Sequence, residues 1–228
     1  IANKPMSQYR IESIKNTGIV EIAIIIGGIG ANKVKEYYGT GEKFGVKFTY
    51  IYQDQPRGIA HAIQLCKDFV NNEKFLVFLG DNIIQKNINY IRKSFKNSDA
   101  DASILLCEVD DPSRFGIADV KDGQIIKIME KPKEPPTNFA VTGIYFLTPK
   151  IFEIIKRLKP SWRNELEITD ALQMLLEEGN KITYDTITDY WKDTGTPEDI
   201  LHANKILIED MESYNQGLIE EGVSTNGK

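Results

Sequence analysis

The sequence is poor in the features that would tie it to a membrane, a nucleic acid or an oxidising compartment. Its longest apolar runs, such as Ile22 to Ile26 and Phe75 to Leu79, fall far short of the ~20 residues that cross a bilayer, so no membrane partner is expected. Positive charge is not in surplus: 28 Lys and Arg are interspersed with 33 Asp and Glu for a net charge of −5. No basic stripe exists to follow a polyanion backbone, which excludes nucleic acid as an expected partner. The two cysteines, Cys66 and Cys107, sit among apolar neighbours. That suits buried thiols in a reducing cytosol better than a disulfide or metal site, and a cytoplasmic location is expected. Residues 1–9 lack signal-peptide character and the first residue is Ile, so the chain is expected to begin inside a domain. No internal repeat or low-complexity tract occurs.

What is present is a globular composition. With 228 residues, 41% hydrophobic and 27% charged, the chain suits one large domain with a substantial core. We expect that domain to span 1–212, with the polar, glycine-containing 213–228 forming a tail or the start of an extension. Helices are predicted at Met6 to Thr17 (with Gly18 as its cap), Lys33 to Tyr38, Gly58 to Val70, Lys150 to Lys156, Ile168 to Glu178 and Pro197 to Met211. Strands are predicted at Ile22 to Ile26, Lys47 to Gln53, Phe75 to Leu79, Ser103 to Glu108, Ala118 to Val120, Gln124 to Glu130, Ala140 to Leu147 and Lys181 to Thr186. Asp122-Gly123 supplies a two-residue hairpin turn. Early strands without polar alternation, separated by helices, point to an α/β fold: a Rossmann-like mixed, mostly parallel sheet with helices on both faces. The later strands form a smaller β-rich portion.

Several residues could carry chemistry. Asp81 follows a buried strand, at the end where open α/β sheets bind ligands, and could hold a hard cation; an Asx turn would explain it equally well. Thr196-Pro197 with Glu198 and Asp199 is a helix start, which leaves Asp193 unexplained and open to a metal role. Two such carboxylates with phosphate oxygens and water would complete the shell of Mg²⁺. Glu130 and Lys131 end a strand; both could face one ligand only if the strand breaks near Pro132, and a solvated hairpin end is the simpler account. Gln53 offers an amide suited to a base edge, and Gly58 allows close approach to a flat ring, although the pattern is also an ordinary turn. Gly27-Gly-Ile-Gly30 lacks the third glycine of a dinucleotide loop, Lys33 standing in that place. His61 and His202 read as packed or surface residues.

Taken in order, Asn3-Lys-Pro-Met6, Gln55-Pro-Arg-Gly-Ile-Ala-His-Ala62, Leu79-Gly-Asp-Asn82, Arg114-Phe-Gly-Ile117, Glu130-Lys-Pro132, Val141-Thr-Gly-Ile-Tyr145, Glu165-Leu-Glu-Ile-Thr-Asp170 and Trp191-Lys-Asp-Thr-Gly195 resemble the sugar-1-phosphate nucleotidylyltransferases. Within that family the match is to the longer glucose-1-phosphate thymidylyltransferases, and it spans nearly the whole chain. The resemblance implies that Asp81 and Asp193 hold Mg²⁺, that Gln53 and Gly58 meet the base, and that Gly116, Glu130, Val141 and Tyr145 form the sugar pocket. It further implies that Lys131 and Arg163 bind the sugar phosphate, with Lys131 also neutralising charge during reaction. The substrates would be glucose 1-phosphate and dTTP, the product dTDP-glucose, and many members are homo-oligomers. The family's Gly-rich loop with its Arg, and the Lys after it, would precede Ile1, and the longer members continue past Lys228 into a β-helix. Three alternatives stay open: a UTP-using enzyme, a metal-dependent glycosyltransferase, and a sugar-phosphate-binding fragment without turnover.

Overall fold

Nine residues, Phe139–Leu147, form the longest strand, and all but the first are buried, which is why they show no polar alternation. The computed structural model describes residues 1–85 and 87–210. Its elements in chain order are α1 (Met6–Asn16), β1 (Glu21–Ile26), α2 (Ala31–Tyr38), β2 (Lys47–Tyr52), α3 (Ile59–Leu65), α4 (Lys67–Val70), β3 (Phe75–Phe78), β4 (Asn82–Ile84), α5 (Asn89–Asn97), β5 (Ala102–Glu108), β6 (Gly116–Lys121), β7 (Gln124–Glu130), β8 (Phe139–Leu147), α6 (Lys150–Ile155), α7 (Ile168–Glu177), β9 (Ile182–Ile187), β10 (Trp191–Asp193) and α8 (Pro197–Glu209).

Strand β5 takes one edge of β8 along its whole length, from Ala102 opposite Leu147 to Glu108 opposite Phe139. The other edge of β8 is shared. Strand β3 pairs with its end, Phe75 opposite Leu147 to Phe78 opposite Ile144, while β6 meets its beginning, Ile117 opposite Ala140. Strands β3 and β6 therefore fork apart over residues 141–143, and a fork in a sheet opens a crevice lined by strand ends. The α/β class and mixed sheet are as expected. Parallel pairing is scarcer than expected: it is limited to β1–β2 and β5–β9 among the described residues, because β8 runs against β3, β5 and β6.

Alternate residues of the sheet feed cores on its two faces. Ile104, Leu106, Val141, Tyr145 and Leu147 join α3, α6 and α7 on one face; Leu105, Ile144 and Phe146 join Ile91 and Phe95 of α5 on the other. Burying each such side chain contributes about 1.5–3 kcal/mol. A third cluster joins α1, α2, β1 and β2 through Ile11, Tyr38, Ile22 and Phe48.

Local chemistry explains most boundaries. Asp122 and Gly123 both have positive φ, 50° and 74°, the geometry of a type I′ hairpin turn, and they join β6 to β7 as predicted. The predicted helix Gly58 to Val70 is broken at Cys66, where the backbone leaves helical geometry (φ −87°, ψ 3°). Three elements went unpredicted: β4 and β10 have three residues each, too few to show a period, and α5 is mostly polar with only a narrow apolar seam. Helix α8 starts as its sequence demands, with Pro197 in the first turn and the Thr196 hydroxyl oxygen accepting the Asp199 N–H at 3.2 Å. Replacing Thr196 with Ala is expected to cost about 1 kcal/mol and lower Tm by about 2–4 °C in a thermal melt. The expected end of this helix at Met211 and the tail 213–228 lie outside the described residues. Among the described residues no helix is long and apolar enough to cross a membrane.

Candidate active site

The two carboxylates singled out in the sequence are brought together by the short strands that it concealed. Strand β4 follows Asp81 directly and pairs antiparallel with β10, setting Asp193 opposite Asn82. The junction is clamped by Thr194, whose N–H and hydroxyl both donate to the Asp81 carbonyl, at 2.9 and 2.6 Å. Asp193 Oδ1 is buried without a hydrogen-bond partner. Burial, and then the neighbouring charge of Asp81, raise the Asp193 carboxyl above its ordinary value, against a smaller lowering by the Gly195 N–H. An orphaned anionic oxygen beside a second carboxylate is short of positive charge, and a hard divalent cation would supply it. The donor set fits Mg²⁺, which takes one or two protein carboxylates and completes its shell with phosphate and water. No group of three or more His, Cys, Asp or Glu suited to a metal occurs among the described residues, so any further ligands would come from substrate and solvent.

Asn82, quoted in the sequence only as part of a motif, is the hub of this corner. It is buried, donates through Nδ2 to Asp81 Oδ1 (2.8 Å), and accepts at Oδ1 from the Gly143 N–H (2.9 Å) and the Trp191 indole (2.8 Å). Gly143 must be glycine, since a Cβ there would lie 2.7 Å from Asn82 Nδ2 and 2.8 Å from the Leu79 side chain. The Trp191 ring meets Phe115 edge to face at 5.6 Å, tying the segment Arg114-Phe-Gly-Ile117 to β10. Arg114 also reaches Asp199 at 3.5 Å, and Lys192 pairs with the same carboxylate at 2.7 Å. Lys192 is the main reason that Asp199 is held down to about 2.

Across the fork lies a second cluster. Gly116 pairs with Glu130, and a Cβ on Gly116 would come within 2.5 Å of the Thr169 side chain. Glu130 accepts from the Thr169 hydroxyl at 2.8 Å and from Arg163 at 3.2 Å. Burial raises its carboxyl, with Glu167 adding to the rise and Thr169, Arg163 and Lys131 opposing it. Arg163, expected at a phosphate, is gripped by carboxylates: Glu167 at 2.8 Å, Glu130 at 3.2 Å and Glu165 at 3.4 Å. Its position serves Glu130. Lys131 follows the end of β7 with a left-handed φ of 41°, so the break that would let neighbouring side chains share one side falls at Lys131 itself, and its side chain is exposed. Tyr145 stands between the clusters. It is buried, and that burial with the charges of Glu130, Asp81 and Asp193 pushes its phenol up. Val141 is buried in the core on the same face of β8.

Gln53 and Gly58 belong to the β2–α3 loop, and no described hydrogen bond joins them to the carboxylates. Gln53 Nε2 lies 2.8 Å from His61 Nδ1, so His61, read as a packed residue, orients Gln53. Gly58 has φ 98°, and a Cβ would sit 2.5 Å from the Leu166 carbonyl oxygen; the close approach it permits is to the Leu166 backbone. His202 Nδ1 lies 3.2 Å from the Tyr190 hydroxyl on an exposed surface. Cys66 and Cys107 are free thiols, and burial pushes Cys66 up to about 11.

This α/β sheet, forked around paired carboxylates, is the framework of a protein class that comparison identifies. The model of the nucleotidyl transferase family matches residues 1–210, and the chain belongs to that family. It is 44% identical over its full length to the low-salt glycan biosynthesis nucleotidyltransferase Agl11 of Haloferax volcanii, covering 64% of that protein. It is 39% identical over its full length to a glucose-1-phosphate thymidylyltransferase of Streptomyces antibioticus, again covering 64%. A UTP–glucose-1-phosphate uridylyltransferase, AglF of Haloferax volcanii, is 33% identical over 92% of the chain and 86% of its own length. Among solved structures, a putative glucose-1-phosphate thymidylyltransferase from Bacillus anthracis in complex with a sucrose superposes with a TM-score of 0.85 at 43% identity, over 93% of this chain and 85% of that one. The chain spans about 64% of the length of the first two of these relatives.

Proposed function

We propose that this chain carries the sugar-binding and metal-binding site of an enzyme that condenses glucose 1-phosphate with dTTP to give dTDP-glucose and pyrophosphate. The observation that carries the reading is the orphaned Asp193 Oδ1 beside Asp81, set across one crevice from the hydrogen-bonded Glu130, Thr169 and Arg163. One corner offers an unpaired carboxylate oxygen to a cation; the other offers a partly buried carboxylate to sugar hydroxyls. The sugar phosphate, with a second pKa of about 6, is already largely a dianion at neutral pH and needs no general base. It attacks the α-phosphorus in line, and the bond to pyrophosphate breaks. Bound at Asp81 and Asp193, Mg²⁺ would neutralise phosphate charge and hold the reacting groups in register.

The chain's own residues do the positioning. Glu130, fixed by Arg163 and Thr169, accepts hydrogen bonds from the sugar, with Gly116 leaving room and Val141 and Tyr145 closing the floor. Lys131, freed from the strand pleat, supplies the cation for the sugar phosphate. Gln53, its amide nitrogen held by His61, keeps its carbonyl oxygen for a base N–H, and Gly58 sets the loop's path. UTP is the alternative nucleotide, since AglF carries that name at 33% identity and one methyl group separates the bases. A cytoplasmic homo-oligomer remains part of the reading.

The test supplies Mg²⁺ and glucose 1-phosphate with dTTP or UTP, and follows pyrophosphate release and nucleotide-sugar formation, with calorimetry for sugar-phosphate binding. Binding and turnover with dTTP support the proposal, and turnover with UTP alone moves it to the uridylyl reading. Neither binding nor turnover sinks it, as would sugar transfer from a nucleotide sugar without pyrophosphate release. Glu130→Gln removes a charged hydrogen-bond acceptor and is expected to raise KM for the sugar phosphate about 10- to 100-fold, with a smaller change for the nucleotide.

A further inference from the structure

An acid three residues after a capping threonine can reach back to the N–H of that threonine and close the helix start. Asp199 stands in that place, after Thr196, and turns elsewhere. It is 7% exposed, and its carboxylate gathers donors from three segments: the Thr196 hydroxyl at 2.7 Å, Lys192 Nζ of β10 at 2.7 Å, and Arg114 Nη2 at 3.5 Å, at the end of the single turn Pro112–Arg114 that leads into β6. The cap needs only the first, and the Asp199 N–H is already met by the Thr196 oxygen. The two cations are left over from any account of the helix start. They come from opposite sides of the fork.

Each cation is next to a working residue. Lys192 lies between Trp191 and Asp193 on β10, so a shift of Lys192 carries the metal-corner carboxylate with it. Arg114 stands two residues before Gly116, which is opposite Glu130, and the carbonyl of the intervening Phe115 accepts the Lys131 N–H at 3.1 Å. A shift of Arg114 therefore carries Glu130 and Lys131. Among the described residues β10 pairs only with β4, and β6 only with β7 and β8, so no backbone ladder joins Trp191-Lys192-Asp193 to Arg114-Phe115-Gly116. Side chains join them: the Trp191–Phe115 ring contact and the two-sided grip of Asp199. The Arg114 side chain is 50% exposed, and an ion pair with so exposed a partner contributes little to stability. Geometry is the larger effect, since a misplacement of about 1 Å can cost about 10²-fold in rate.

We propose that Asp199 is a positioning residue for the condensation described above: one buried carboxylate, holding Lys192 and Arg114, sets the separation between the Asp81–Asp193 pair and the sugar cluster of Glu130 and Lys131. Asp199 touches no substrate and acts through the two segments that it ties. Its effect on rate rests on the proposed reaction, whereas the tie itself does not.

The test compares Arg114→Met, Arg114→Lys, Asp199→Asn and the double variant Arg114→Met/Asp199→Asn with the parent. Arg114→Met cuts the tie and leaves the cap of α8 in place. Its kcat should fall about 10- to 100-fold, with calorimetric dissociation constants for glucose 1-phosphate and dTTP each within about twofold of the parent. Without substrate, amide exchange at Lys131 should quicken at least about tenfold in Arg114→Met, with that of α8 unchanged. Arg114→Lys keeps a cation and should recover kcat to within about threefold of the parent. Asp199→Asn should lose at least as much as Arg114→Met, and the double variant no more than Asp199→Asn, because both changes break one tie. An unchanged kcat in Arg114→Met, a rise in a dissociation constant that accounts for its loss, no recovery in Arg114→Lys, or losses that multiply in the double variant would each overturn the proposal. A parent without turnover refutes the proposed reaction alone. Exchange at Lys131 then decides the tie, and an unchanged rate in Arg114→Met overturns it.

Discussion

Asp193→Asn is expected to remove turnover by at least about 10²–10³-fold while leaving the fold as stable as the parent or more so at neutral pH. The two halves of that result have one cause. The Asp193 carboxyl is raised above 3.8 by burial and by Asp81, so ionising it opposes folding. Below the unfolded value both states are protonated and the penalty is absent. It grows as pH climbs through the interval between the unfolded and the raised folded value, and it is complete above that. Asn keeps the shape and drops the charge. The Tm difference between variant and parent should therefore favour the variant increasingly from acid to neutral pH, while pyrophosphate release collapses. Asp81→Asn should lose activity to a similar degree. Full activity in either variant would remove the metal pair from the reaction, and a Tm several degrees below the parent at pH 7 would mean that Asp193 makes a structural bond.

How much of this was legible in the sequence differs between elements. The long apolar runs announced β1, β3, β5 and β8, and Asp122-Gly123 announced its turn, because each signal is local. Asp193 stood out as a carboxylate that the helix start did not explain, whereas an Asx turn accounted for Asp81 equally well and only the resemblance paired the two. What joins them, the three-residue ladder of β4 on β10, has no period to read, and the fork between β3 and β6 depends on which strands share one edge of β8, a fact of pairing that no single segment encodes. Arg163 shows the same limit. Resemblance implies a phosphate contact for it, and nothing in the sequence announced the carboxylates of Glu130, Glu165 and Glu167 that the fold sets around it. His61 was set aside as a helix residue, since only the path of the β2–α3 loop brings Gln53 to its ring.

Asn82→Ala should produce the largest loss of stability of any substitution near the site, because the side chain joins three separate segments. Its removal strands the Gly143 N–H and the Trp191 indole, which now donate to Oδ1 at 2.9 and 2.8 Å, and frees the Asp81 carboxylate that it holds at 2.8 Å. Leaving a buried donor unmet costs about 1–3 kcal/mol, so a total of about 2–4 kcal/mol and a Tm lower by roughly 4–16 °C are expected. Activity should fall about 10- to 100-fold beyond any unfolding, as it does when a group orienting a metal ligand is lost. Asn82→Asp separates the two roles. Its carboxylate still accepts from Gly143 and Trp191, but it faces Asp81 with like charge where an amide N–H used to donate. Protonation restores that donor, so the deficit of Asn82→Asp should shrink as pH falls below neutral, whereas that of Asn82→Ala should stay constant. Melts of both variants across pH measure this directly, and parallel curves would mean that the Asn82–Asp81 bond contributes nothing to holding the carboxylate.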